Sequence, residues 1–352
     1  MISYLSTLAL FLALGVNPPK DEKPLDIYFI DVDGGAATLL VTSERESILI
    51  DSGWPGRQDR DPKRIEHILK DAAGCDHLDH LVTTHWHMDH YGGVGGLSKR
   101  VRIDHFWDRG IPDPNVPGGD KKNYPDGPTT VDAMGVAYHE ASAGKRGILH
   151  AGQTLPLRGS IKTLVLASGG ETITPKPNEK RPANPLCENC PADLPVDPSD
   201  NARSLAFKFS LGRFDFLDCG DLTWNIEKKL VCPTDMIGPI DLFQVTHHGM
   251  NISNHPVLVK TIAPTVAVMN NGSRKGGSPA TVRLLKSIPS IQGFYALHKN
   301  IATAAEDNAE PNSIANLDAE GGRYIHVQVS ADGSRYSVRI NDEGAARSFT
   351  SK

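Results

Sequence analysis

The segment His80-Leu81-Val82-Thr83-Thr84-His85-Trp86-His87-Met88-Asp89-His90 runs from an apolar stretch straight into three imidazoles and one carboxylate within its last six residues. The apolar part reads as a strand, and a strand opening into a loop lets side chains at alternate positions converge on one point while the next two reach a neighbouring one. Imidazole and carboxylate together suit a borderline cation such as zinc. A histidine-rich surface loop is the plainer alternative. A second cue lies further along: Asp241-Leu242-Phe243-Gln244-Val245-Thr246 is again an apolar strand, and it ends at His247-His248-Gly249.

Outward from these two points, the chain alternates strands and helices. Leu25–Val32, Ala37–Thr42 and Ile48–Ile50 read as a β-meander with a turn at Gly34-Gly35 and a polar tip at Ser43–Glu46. Pro62–Ala73 carries Ile65, Ile68 and Leu69 on one face and predicts an amphipathic helix ended by Gly74. Gly110–Thr130 is a long Pro, Gly and Asp loop suited to forming a pocket wall, and Val131–Ala143 reads as helical. Ile161–Ala167 is a strand, and Ser168–Asp200 is an insertion rich in Pro, Gly, Asn and Asp. Ser204–Ser210 and Arg213–Leu217 form a hairpin leading to Asp218-Cys219-Gly220-Asp221, with a helix from about Leu222. Further strand and helix elements follow at Val266–Met269, Ala280–Ile288 and Phe294–Leu297, and a hairpin of Tyr324–Ser330 with Tyr336–Ile340 closes the pattern. The expected organisation is a leader over residues 1–20, one domain over 25–341 and a tail over 342–352.

With 352 residues and 39% apolar content, the chain can bury a full core without disulfide staples. Its formal net charge is −5, and its paired cations, such as Lys121-Lys122 and Arg274-Lys275, are scattered. No nucleic-acid patch is evident, because duplex binding rests on clustered cations. Ile2–Val16 is almost uninterruptedly apolar and is followed by Asn17-Pro18-Pro19-Lys20. It is shorter than a usual membrane span and is read as a secretory leader, with an uncleaved anchor or a buried helix as alternatives. On that reading the chain is exported, to the periplasm or outside the cell, with no membrane span once the leader is removed. Five cysteines leave at least one unpaired; a local Cys187–Cys190 bridge and a Cys219–Cys232 bridge are the expected pairings.

The set Ile50-Asp51-Ser52-Gly53, His85-x-His87-x-Asp89-His90, Gly220-Asp221 and His247-His248-Gly249, in that order, resembles the metallo-β-lactamase superfamily. Within it the chain looks most like the hydrolase domain of DNA-uptake competence proteins and their secreted relatives. The similarity includes Phe29-Ile30-Asp31-Val32-Asp33-Gly34-Gly35-Ala36-Ala37, Asn201-Ala202-Arg203-Ser204-Leu205 and the final Asp332-Gly333 hairpin. The resemblance implies an α/β fold, an αββα sandwich with metals at the edge where the sheets meet. It implies that His85 and His87 hold a first metal, that Asp89, His90 and His247 or His248 hold a second, and that Asp221 bridges them. Strand parity favours His247. Asp51 is the implied support that orders the histidine loop by hydrogen bonding.

Two-metal members usually add a third histidine to the first metal, and this chain shows no counterpart. His139 and His150 read as ordinary surface or packing residues, whereas Asp200 or Asn201 lies nearer the place where that ligand should emerge. Flavo-diiron relatives carry a carboxylate where this chain has His87, so two zinc ions are expected over iron, with manganese as the alternative. The implied activity is hydrolysis of an ester, lactone, amide or phosphodiester by a metal-activated water, with Asp89 and Asp221 as the catalytic carboxylates. Asp89 would position the nucleophile or accept its proton, and Tyr91 is a candidate donor to the substrate. The competing readings are a catalytically silent metal-binding module and a competence-type nuclease.

Overall fold

The structure is a computed structural model that describes residues 24–113, 115–116, 120–318 and 320–352. The expected leader over residues 1–20 lies outside the described residues. Among these, the strands build two sheets. The first takes β1 (Leu25–Phe29), β2 (Thr38–Val41), β3 (Ser47–Ile50), β4 (His77–Val82), β5 (Arg102–Asp108) and β6 (Arg146–Ile148). The second takes β7 (Lys162–Ser168), β8 (Glu171–Thr172), β9 (Ala206–Leu211), β10 (Phe214–Asp218), β11 (Leu242–Gln244), β12 (Val266–Met269), β13 (Gly293–His298) and β14 (Ile314–Asn316). The chain then returns to the first sheet with β15 (Ile325–Val329), β16 (Arg335–Ile340) and β17 (Arg347–Thr350), and β15 pairs antiparallel with β1.

Both faces of each sheet are covered, which is why most inner strands are apolar throughout. Ile27, Phe29, Leu40, Ile48, Ile50 and Val82 face Phe207, Phe209, Phe216, Leu242 and Val268 in the core between the sheets. The opposite face of the first sheet, with Leu39, Leu49, Leu81 and Phe106, packs under α1 (Arg60–His67), α2 (Met88–Tyr91), α3 (Val94–Leu97) and α4 (Ala133–Ser142). The outer face of the second, with Leu217, Phe243 and Ala267, packs under α5 (Trp224–Lys229), α6 (Pro256–Ile262) and α7 (Pro279–Ser287). The layers therefore run helix, sheet, sheet, helix: an αββα sandwich.

Two expectations fail here. The stretch 342–352 is no tail, because Arg347–Thr350 adds an edge strand to β16 and the Phe349 ring stacks on Tyr336 at 5.3 Å between centroids. One apolar residue among polar neighbours gave no strand signal, since the position is a half-exposed edge. The cysteine pairing also differs: Cys187 bridges Cys232, leaving Cys75, Cys190 and Cys219 free. Cys219, just after β10, is completely buried under the helices on the outer face of the second sheet, and Cys232 instead lies opposite Cys187 at a Cα separation of 5.9 Å.

Candidate metal centre

β3 and β4 are parallel neighbours, as are β10, β11 and β12. Their carboxyl ends lie together at one edge of the sandwich, the place where open α/β sheets present ligands. Asp51 follows β3, the histidine loop follows β4, Asp221 follows β10 and His247-His248 follows β11.

Two groups of donor atoms form there: His85, His87 and Asp221 in one, and Asp89, His90, Asp221 and His248 in the other. Asp221 is common to both. Its Oδ2 lies 3.2 Å from His90 Nε2, 3.3 Å from His248 Nε2, 3.4 Å from His247 Nε2 and 3.8 Å from His85 Nε2. Asp89 Oδ2 stands 3.4 Å from His90 Nε2 and 3.2 Å from His248 Nε2. All of these residues except His87 are buried, and His85 Nε2 has no hydrogen-bond partner although it is buried. A buried, unpartnered imidazole nitrogen facing carboxylates is costly in a metal-free site and fits a cation. The donor set of imidazoles and carboxylates therefore suits a transition-metal pair.

The ring orientations are set by the opposite nitrogens. Asp51 Oδ2 accepts from His90 Nδ1 at 2.6 Å and from Thr84 Oγ1 at 2.8 Å, while Oδ1 accepts from the Thr84 N–H at 2.8 Å. His85 Nδ1 lies 3.1 Å from Thr84 Oγ1, and His248 Nδ1 donates to the Asn270 carbonyl at 3.3 Å. Each of these contacts leaves Nε2 aimed into the cluster, the arrangement metal-binding histidines need. Asp51 itself sits at φ 62°, in the left-handed region that Asp tolerates better than most residues.

Charge follows the same geometry. Burial holds His85 well below the ordinary imidazole range, with His90 adding to the shift, and burial pushes His247 down to about 4. For Asp221 and Asp89 burial opposes ionisation, yet the surrounding imidazoles keep both carboxylates well below their ordinary range. For His90 burial again opposes charge, but Asp221, Asp51 and Asp89 raise it well above the usual value, and Asp221 likewise raises His248. Behind the site, burial lifts Asp218 to about 7 and Glu227 to about 7.

The parity argument for His247 does not survive the geometry. β11 stops at Gln244, and both His247 (φ 54°) and His248 (φ 53°) lie in a left-handed 3₁₀ turn over Thr246–Gly249, so alternation no longer applies. His248 joins the four-residue group, while His247 approaches Asp221 alone and bonds Ser253 Oγ through Nδ1 at 3.0 Å. The turn is held by Gly276, where an added Cβ would stand 2.2 Å from the His248 carbonyl oxygen.

Asp200 is brought beside the histidine loop but is already engaged. It accepts from the Trp86 N–H at 2.8 Å and from Arg109 Nε at 3.1 Å, and it pairs with a second Arg109 nitrogen. It supports the loop from behind. Asn201 is buried with Oδ1 unpartnered. Tyr91 is no substrate contact: it is 4% exposed and packs edge-on against Trp86 at 5.4 Å, because α2 turns it into the helix-covered core. His139, on α4, contacts the Pro128 carbonyl at 3.4 Å, and His298 is tied to Asp31 at 2.6 Å.

Two residues escaped sequence reasoning. Asp126, in the Gly110–Thr130 loop, lies 3.2 Å from His87 Nε2. Lys275 places its ammonium on Asp89 Oδ2 and over the Trp54 ring, 4.9 Å from its centroid, so Trp54 belongs to the rim of the site. Neither residue carried a signal beyond membership in a loop or a charged pair.

Comparisons with known proteins give likenesses over parts of the chain. A family model described as Lactamase_B, metallo-beta-lactamase superfamily, matches residues 30–163, a stretch that carries Asp51 and the histidine loop but ends before Asp221. A curated relative, "Beta-lactamase-like protein 2 homolog" of Caenorhabditis elegans, is 30% identical over 67 residues, 19% of this chain and 22% of that protein. Among solved structures, a "CmlA beta-hydroxylase E377D mutant" aligns at 15% identity and a TM-score of 0.44, over 79% of this chain and 53% of that one. The "Rm3 metallo-beta-lactamase" aligns at 14% identity and a TM-score of 0.36, over 67% of this chain and 80% of that one. This chain thus spans about a fifth of the curated relative and about half of the hydroxylase.

Proposed function

We propose that the protein is an exported metal-dependent hydrolase, and the observation that carries the reading is the buried Asp221 carboxylate shared by two histidine-containing donor groups. In this reading His85 and His87 hold a first cation, Asp89, His90 and His248 hold a second, and Asp221 lies between. Zinc is favoured by the predominance of imidazole, with manganese as the alternative. A bound metal pair supplies a water-derived nucleophile at neutral pH and polarises the bond under attack.

The chain's own residues do the rest. Asp51 and Thr84 hold the histidine rings in register, and the Asn270 carbonyl does so for His248. Asp89, at the rim beside Lys275, is the carboxylate assigned to receive the proton. The Lys275 ammonium over Trp54 would meet a negatively charged group on the substrate, which among esters, lactones, amides and phosphodiesters favours the last and keeps the competence-type reading in play. Export is supported by the apolar Ile2–Val16 stretch and by a long-range disulfide, a bond that persists in oxidising compartments.

The test is metal analysis together with a hydrolysis panel of simple phosphodiesters, esters and lactones. About two equivalents of zinc and chelator-sensitive turnover are expected. Asp221→Ala should lose metal from both positions and His248→Ala from one. Tight metal without turnover on any of these compounds would favour the silent binding module, and an Asp221→Ala protein retaining its full metal would end the assignment.

A further inference from the structure

Away from the metal centre, Cys187, Cys190 and Cys232 line one cavity of about 620 Å³, together with Lys228, Lys229 and Asp193. Cys187 and Cys232 are bonded, and Cys190 is a half-buried free thiol. The chain leaves a 3₁₀ helix at Pro185–Cys187 and turns at Glu188 and Asn189, which folds Cys190 back towards Cys187. Ends of such a four-residue turn lie under about 7 Å apart, within the span a disulfide bridges. Lys228, paired with Asp193 at 2.8 Å, shares that cavity with Cys190, and the Lys228 carbonyl accepts from the Cys232 N–H at 2.8 Å. One lysine thus lines the cavity that holds the free thiol and bonds the backbone of a bridged cysteine.

We propose that these three cysteines form a thiol–disulfide exchange site in which Cys190 can take Cys187 from Cys232. The Cys190 sulfur, after losing its proton to water, attacks Cys187 Sγ; the Cys187–Cys232 bond breaks, Cys187–Cys190 forms, and Cys232 leaves as a thiolate that is then protonated. No electrons are gained or lost overall, so no external oxidant is needed. The Lys228 ammonium lines the same cavity, and a cation there favours a step in which the exchanging sulfur carries negative charge. The structural consequence is a choice between two tethers. In one, the insertion at 168–200 is tied across 45 positions to the segment after α5; in the other, the bridge is local and that segment is released.

The test uses the full chain in a glutathione redox buffer, quenched with acid, alkylated with N-ethylmaleimide and digested with trypsin. Cleavage after Lys180, Arg203, Lys229 and Lys260 leaves Cys187 and Cys190 together on residues 181–203 and Cys232 alone on residues 230–260. Wild type should give two products: the cross-linked pair of peptides, and an internally bonded 181–203 with alkylated Cys232. Cys190→Ser should give only the cross-linked pair, Cys232→Ser should give the internally bonded peptide, and Lys228→Met should slow exchange several-fold. A wild type that yields only the cross-linked pair with alkylated Cys190 at every time would overturn the proposal. So would a Cys232→Ser protein whose two remaining thiols are both alkylated.

Discussion

Asp51→Asn isolates the part of the metal centre that no cation touches. Asn keeps the size of Asp and tolerates the φ of 62° at this position, so the fold should hold. The hydrogen bonds cannot all be kept. Oδ1 must remain an acceptor for the Thr84 N–H at 2.8 Å, which puts the amide NH₂ where Oδ2 met His90 Nδ1 at 2.6 Å. His90 must then accept at Nδ1 and carry its proton on Nε2, the atom 3.2 Å from Asp221 and aimed into the donor group. Flipping the amide instead sets two N–H groups against each other at Thr84. Loss of a hydrogen bond that orients a ligand lowers metal affinity by about 10- to 100-fold, roughly 1.4 to 2.7 kcal/mol. The assay is competition for zinc against a chromophoric chelator, with thermal unfolding of the metal-free protein as the control. Affinity within twofold of wild type, in a variant that melts normally, would refute the idea that Asp51 sets the His90 tautomer.

Three further outcomes follow from the same geometry. Because neighbouring carboxylates raise His90 well above its usual value, its stabilising contribution to the metal-free protein is complete below pH about 6.5 and is lost as pH rises through the raised folded value. Zinc must displace that proton, so zinc affinity should increase with pH over that window and calorimetric enthalpies should depend on the buffer's ionisation heat. Asp218 and Glu227, each lifted to about 7 by burial, hold protons in the folded state that the unfolded chain releases near pH 4, so stability should fall between pH about 4 and 7. Asp218→Asn should flatten that decline in denaturant titrations, by up to about 4 kcal/mol across the window at about 1.4 kcal/mol per pH unit; an unchanged slope would show that the carboxyl is not protonated. Lys275→Met removes an ammonium that competes for Asp89, and like charges about 4 Å apart repel by about 4 kcal/mol at an effective permittivity near 20. Even after screening, tenfold tighter binding of the more weakly held zinc is expected, and an unchanged affinity would show that the lysine moves aside without cost.

Strands buried on both faces announced themselves, as Leu39-Leu40-Val41 and Phe214–Leu217 show, because every position in them is apolar or nearly so. Half-exposed stretches did not. β4 begins at His77, but His77 and Asp79 are only partly covered, so sequence periodicity starts it four residues late at Leu81. β5 buries Ile103, Phe106 and Asp108 but exposes Arg102 and His105, so it presents no continuous apolar run. In the metal centre, the residues within a motif were readable because their spacing is local. The choice of His248 over His247 was not, since it rests on two consecutive left-handed residues that alternation cannot anticipate. Lys275 and Asp126 reach the site only through tertiary folding, 186 positions from Asp89 and 39 from His87 respectively.

The pairing of β1 with β15 has a bearing on how the polypeptide is made. His326 Nε2 meets Asp26 Oδ1 at 2.8 Å across a separation of 300 residues, and all five positions of β1 face a partner in β15. During synthesis the first meander emerges with one long flank bare until the final hairpin leaves the ribosome. An open flank of that kind invites pairing with other chains, and distant pairing makes assembly slow. The nascent protein should therefore depend on a holding factor, and a premature stop ahead of Ile325 should yield aggregates in place of a smaller soluble product.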